Sequence, residues 1–315
     1  MKLNKLLKTA AFAAATALSL PQAVAAWTPE EPIVLRIGFG AGGETDTMGR
    51  VLAATIERQT GWDVVVENRP GGGGVAMLSA LVNEAADGLV LGMAVNIPPL
   101  MALSQRPDSV PFTLDSFDYI GTVTVAETAL IAGSDATFSS IEELVEFART
   151  EGSAKIAWDA PDAKAILQKI GQQEGVSFRM VKAESGAEMN KLLLGGQVDA
   201  AFGTGAHLPF IEDGQMKTIA SLSDKRLSSA PDVPTLIESG HDFFIAPYFY
   251  ITAPGGLPTD VKTALAAAMD QAVGDEAVQT VVQNAVSAPA VNLGPDGTRQ
   301  MMQESLGPIG ALFAQ

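Results

Sequence analysis

Short apolar runs alternate with helix-patterned stretches along the chain, and this rhythm restricts the fold more than any other feature. Ile33 to Gly38, Val64 to Glu67 and Leu89 to Ala94 read as strands, with helical patterns over Thr47 to Gln59 and Ala76 to Ala85 between them. Strands that regularly alternate with helices are joined by crossovers, which predicts a parallel sheet with helices packed on its faces. Pro32 and Asn68-Arg69-Pro70 punctuate the runs. The rhythm then restarts. Thr128 to Ala132, Lys155 to Trp158, Ser177 to Val181 and Val198 to Phe202 read as strands, and Ile141 to Arg149, Ala163 to Glu174 and Ala187 to Leu194 as helices. The restart predicts a second α/β unit. Phe243 to Ala253 is again strand-like, and Pro258 to Val273, Glu276 to Gln283 and Pro295 to Phe313 are helical, with Pro258 and Pro295 suited to first-turn positions. No period of repeat-protein length and no low-complexity tract appears, so two similar lobes are expected rather than a solenoid.

Size and charge narrow the class further. Lys2, Lys5 and Lys8 precede an uncharged run from Thr9 to Leu20 and a small-residue Ala23-Val24-Ala25 segment, the grammar of a secretory signal over residues 1–26. The apolar run has about a dozen residues where a membrane span needs roughly 20, which disfavours a retained anchor. Without this leader the chain sits at the upper limit of one hydrophobic core, so two domains are expected. The formal charge is −16. Losing the leader removes lysines and no acid, and so deepens the imbalance. Such acidity argues against nucleic acid and anionic membrane as partners, and it does not steer anions inward. The absence of cysteine rules out disulfides, thiolate metal sites and cysteine nucleophiles.

The most informative segment is Gly38-Phe39-Gly40-Ala41-Gly42-Gly43-Glu44-Thr45-Asp46, which lies between the first strand and the first helix. Glycines let the main chain approach a ligand, and the unpaired amides and dipole of a helix start favour an anion. Thr45 or Asp46 is expected to cap the helix. Gly38, Gly40 and Gly43 also fit the dinucleotide fingerprint, with Glu67 at a distance suited to a ribose. Against that alternative stand the export signal and the crowding of Glu44 and Asp46 where a pyrophosphate would sit.

A second glycine cluster, Val66-Glu67-Asn68-Arg69-Pro70-Gly71-Gly72-Gly73-Gly74, again joins a strand to a helix. Together with Phe39 to Asp46 and Ala86-Asp87-Gly88, it resembles the amino-terminal signature of the substrate-binding proteins of tripartite tricarboxylate transporters. Three further stretches match that family: Leu194-Gly195-Gly196-Gln197-Val198-Asp199-Ala200, Ala230-Pro231-Asp232-Val233-Pro234-Thr235-Leu236 and Ala253-Pro254-Gly255-Gly256-Leu257-Pro258. The family includes the receptors of citrate-type transporters and related receptors of Bordetella.

The resemblance implies a periplasmic-binding-protein type II clamp, two doubly wound α/β domains joined by crossing strands. Domain one would comprise residues 27–124 and 249–315, and domain two residues 125–248. It also implies a periplasmic monomer without cofactor or metal. Such a protein captures a small organic acid or related polar metabolite and delivers it to large and small integral-membrane permease subunits. A ligand-presenting sensor subunit for a membrane kinase would use the same clamp. In the family, loop amides, hydroxyls and waters hold the ligand carboxylates. The implied ligand-binding residues are Phe39, Gly40, Ala41, Gly42, Gly43, Thr45, Asp46, Gly72 and Gly73 in domain one, and Trp158, Asp159, Ala160, Ser185 and Thr204 in domain two. Several neutral hydrogen bonds of about 1 kcal/mol each, with apolar burial, reach the roughly 8 kcal/mol of micromolar binding.

The departure from the family lies in Ala157-Trp158-Asp159-Ala160-Pro161-Asp162, where relatives carry a Gly/Ser-rich loop. Acids there, with Glu44 opposite, weigh against a tricarboxylate. Trp158 reads either as a stacking wall or as a half-buried interface residue, and Asp159 either as an acceptor for a ligand amine or as a helix cap. Ser185 and Thr204 read as hydroxyl donors or as turn residues. His207 and His241 lie in no catalytic motif and read as surface or loop residues, no G-x-S-x-G occurs, and the chain is expected not to be an enzyme.

Overall fold

A computed structural model describes residues 27–313 apart from 159, 160, 184 and 204. The strands are β1 (Ile33–Ile37), β2 (Val64–Asn68), β3 (Val90–Val95), β4 (Phe117–Val125), β5 (Ala129–Gly133), β6 (Ala154–Trp158), β7 (Phe178–Lys182), β8 (Ala200–Gly203), β9 (Met216–Ser221) and β10 (Tyr248–Pro254). The helices are α1 (Glu44–Thr60), α2 (Val75–Leu81), α3 (Ile97–Gln105), α4 (Ile141–Glu151), α5 (Pro161–Glu174), α6 (Gly186–Leu194), α7 (Leu208–Glu212), α8 (Thr259–Val273), α9 (Glu276–Val286) and α10 (Gly294–Phe313).

The strands form two five-stranded sheets of identical plan, ordered β2-β1-β3-β10-β4 and β7-β6-β8-β5-β9. In each, three strands run parallel and the fourth, β10 or β5, runs antiparallel. The sheets are therefore mixed rather than parallel throughout. The chain leaves the first sheet along β4, builds the second, and returns through β10, so two connections join the lobes.

The first sheet is covered on both faces. Ile33, Leu35 and Ile37 pack with Met48 and Leu52 of α1 and Val261 and Leu265 of α8 on one side. On the other, Met77, Leu78, Leu100, Tyr119, Tyr250 and Met301 form a separate core under α2, α3 and α10. The second lobe has a single core around Leu130, Ile156, Ile166 and Phe202, which also takes in Ile97 and Leu312 from α3 and α10. α10 thus starts on the first lobe, where Arg299 bonds Asp115 and the Phe117 carbonyl, and ends against the second.

Two of the elements missed by the sequence reading, β4 and α3, each have a local cause. β4 is buried at most positions on both faces and so lacks alternation. α3 carries Pro98 and Pro99 in its first turn, where proline is tolerated although it reads as a break. Phe243 to Pro247 is not strand, because its backbone bonds Leu222 and Ala126 in the crossing segment instead. Pro258 stands one position earlier than expected, as the N-cap of α8.

Candidate ligand site at the strand ends

β1, β2 and β3 run in the same direction, so the loops that follow them emerge at one edge of the first sheet. There the backbones nearly touch: a Cβ on Gly38 would lie 2.6 Å from the Cα of Gly74. Gly73, at φ +66°, packs against Pro98 so closely that an added Cβ would fall 2.5 Å from the ring. Only glycine fits both conditions. The two glycine clusters are thereby brought together, with Gly40 to Glu44 exposed.

The helix start differs from the expected one. Gly43 is the N-cap of α1 and supplies no side chain, so neither Thr45 nor Asp46 caps it. Asp46 instead reaches back from the first turn to accept the Gly42 amide at 2.8 Å. Its two oxygens also lie 3.0 Å from Arg50 Nε, and Asn68 Nδ2 donates to Oδ1 at 2.8 Å. Asn68 further donates to the Phe39 carbonyl at 3.1 Å and accepts from Arg50 Nη2 at 2.9 Å. This network ties the loop after β1 to the end of β2. Burial opposes ionisation of Asp46, but the bonds from Arg50, Gly42 and Asn68 and the charge of Arg50 outweigh it and hold the carboxyl down to about 2.

The consequence is a loop in which Asp46 is turned inward and neutralised while Glu44, beside it in the first turn, is exposed. Gly40 and Gly42 have open space where a side chain would project, and at Gly43 the nearest atom is the Gly40 carbonyl at 3.6 Å. Backbone amides and the positive end of a helix of 17 residues therefore border the loop, an arrangement suited to an anion. Gly72 and Gly73 stand beside it in a 3-10 turn, Gly72–Gly74. Glu67, the residue suited to a ribose, is engaged by Arg69 at 3.0 Å and by Arg36 at 3.8 Å.

In the second lobe, Trp158 ends β6 and packs partly buried on the core, with Lys164 Nζ 4.9 Å from its ring centre. Ser185 caps α6 by accepting the Glu188 amide at 3.2 Å. Asp159, Ala160 and Thr204 lie outside the described residues. Arg50 and Asn68 were missed as site residues, although Arg50 follows Asp46 by four residues, the spacing of a helical ion pair. Both histidines are buried rather than superficial, His207 at 4% exposure and His241 at 5%. His241 Nδ1 lies 3.2 Å from Gln173 Oε1.

A family model, the tripartite tricarboxylate transporter family receptor, matches residues 48–314. The chain belongs to this family. Protein BugT of Bordetella pertussis is 30% identical over 313 residues, covering 97% of this chain and 95% of BugT. Among solved structures, the periplasmic binding protein BugD superposes with a TM-score of 0.71 at 26% identity, over 91% of this chain and 97% of that one. MatC from Rhodopseudomonas palustris with bound malate superposes with a TM-score of 0.70 at 21% identity, over 90% and 99%. The family comprises substrate-binding receptors rather than enzymes, which removes the oxidoreductase reading of the glycine loop.

Proposed function

We propose that this receptor works in the periplasm, after removal of the leader at residues 1–26. Its two lobes, residues 27–124 with 249–315 and residues 125–248, would close on a small organic acid, and a monomer would deliver the acid to the large and small membrane subunits of a tripartite transporter. The observation that carries this reading is the close approach of Gly38 to Gly74, which brings the loops after β1 and β2 to one strand-end edge, with the Asp46 charge neutralised behind them. Main-chain donors of this kind recognise a carboxylate. The malate bound by MatC suggests a di-acid of similar size as the first to try.

Binding to the native state raises its stability, by about 2.7 kcal/mol at a ligand concentration of 100 Kd. L-malate, succinate, citrate, L-glutamate and benzoate should be compared by thermal shift and titration calorimetry. At least one should raise the melting temperature by several degrees and bind one-to-one without added metal or cofactor. A shift with NAD(H) and with none of the acids would refute the proposal.

A further inference from the structure

We infer that the second lobe reads its ligand through two neutral side-chain donors, the Nε2–H of His207 and the Nε1–H of Trp158. This inference rests on the receptor reading and names residues within that site. Trp158 and Gly203 end the adjacent parallel strands β6 and β8, and His207 follows Gly203 by four residues as the N-cap of α7. The imidazole lies over Gly203, where an added Cβ would come 2.6 Å from Cε1 and Nδ1. Its Nδ1 accepts the Gly205 amide at 3.3 Å. A neutral imidazole has one donor and one acceptor nitrogen, so the proton resides on Nε2. Burial lowers the group to about 4 and keeps it neutral near pH 7.

Among the described residues, Nε2 of His207 and Nε1 of Trp158 are buried and unpaired. Native proteins leave few buried donors in this state, and each needs an account, from a bound water to a ligand atom. The loop that bears His207 also faces the other lobe: a Cβ on Gly205 would sit 2.8 Å from Oγ of Ser287, the C-cap of α9. Asn190 fixes the same loop by donating to the Ala206 carbonyl at 2.8 Å. The backbone of the His207 loop is thus secured without the Nε2–H. Uncharged donors suit a carboxylate or carbonyl oxygen at the end of the ligand remote from the glycine loops.

Three variants separate binding from scaffolding. His207→Asn keeps an acceptor near the Nδ1 position and loses the Nε2 donor, His207→Gln does the reverse, and Trp158→Phe removes the indole N–H together with part of the ring, so its urea unfolding is measured beside its affinity to separate lost packing from a lost donor. Titrated with whichever of L-malate, succinate, citrate, L-glutamate and benzoate shifts the wild-type melt, His207→Asn and Trp158→Phe should each bind at least tenfold more weakly, and His207→Gln within about threefold of wild type. In wild-type protein, NMR should show the Trp158 indole proton and the His207 Nε2 resonance moving on titration, with Trp158→Phe assigning the indole. Wild-type affinity in both His207→Asn and Trp158→Phe with unmoved resonances would overturn the inference and leave the receptor reading standing. If none of the acids shifts the melt, both fall together.

Discussion

The two lobes share one strand plan and fill its strand-end positions with opposite chemistry. Where β1 meets α1 the first lobe has Gly40 to Gly43, and where β6 meets α5 the second has Trp158 and the acidic stretch that follows. After β2 come four glycines; after β7 comes Ser185, capping α6. After β3 comes Asn96, whose Oδ1 accepts the Tyr248 amide at 3.0 Å; after β8 comes His207 with an unpaired nitrogen. The first lobe thus offers main chain held rigid by side chains behind it, and the second offers side chains. Main-chain donors distinguish an anion from a neutral group and little else, whereas side-chain donors set shape and length.

The largest expected contrast between the lobes is in pH dependence. His207 is lowered in the folded state to about 4 from its ordinary 6.5, so the unfolded chain binds the proton first. Its contribution is complete above about pH 6.5 and is lost as pH falls through 4, by up to about 3 kcal/mol. Asp46, lowered from 3.8 to about 2, loses its contribution only below that window, between 3.8 and 2. Urea unfolding from pH 7.5 to 2.5 should show two successive declines, the upper one absent in His207→Gln and the lower one shallower in Asp46→Asn, where other lowered carboxylates such as Asp118 and Glu142 remain. A single decline common to wild type and both variants would erase the distinction.

Asp46→Ala should cost about 2 kcal/mol in urea unfolding at pH 7, because it leaves the Gly42 amide, Asn68 and Arg50 without their shared acceptor. It should also weaken binding of the active acid more than any substitution at Ser185 does. Next in size is Gly43→Val, which places a side chain at the amide opening and should reduce affinity at least tenfold, about 1.4 kcal/mol, with a small fall in melting temperature because valine is a poorer N-cap than glycine. Gly42→Val is a poorer probe, since φ +81° there strains any side chain. An unchanged affinity in Gly43→Val would mean that the loop is only a turn. The smallest effect belongs to Ser185→Ala, which removes the α6 cap and should cost about 1 kcal/mol of stability. An affinity loss larger than the stability loss would move Ser185 from scaffold to ligand contact.

Local chemistry made much of this readable in advance. The alternation of apolar runs with helical patterns located β1 to β3 and β6 to β8, because crossover units bury continuous apolar strands between amphipathic helices. The glycine clusters could be placed at strand ends because glycine is needed where backbones approach within contact distance, as at Gly38 and Gly74. Asp46 was recognised as part of the loop, but its direction was not, since its partners Arg50 and Asn68 act together only once α1 and β2 are packed. β4 and α3 escaped notice because complete burial and first-turn prolines hide the periodicity that identifies such elements.

The amino-acid sequence alone determined the α/β class, the restart into a second unit and the main-chain character of the first lobe's loops, all of which depend on neighbours within a few residues. Tertiary structure alone decided that β10 and β5 run against their neighbours, that α10 ends on the opposite lobe, and that His207 is buried with its Nε2 unpaired. Those outcomes depend on contacts between segments far apart in the chain, such as Gly205 with Ser287 and Asn96 with Tyr248. Burial of a histidine has no local signature, because the desolvation that lowers its basicity comes from whatever packs around it.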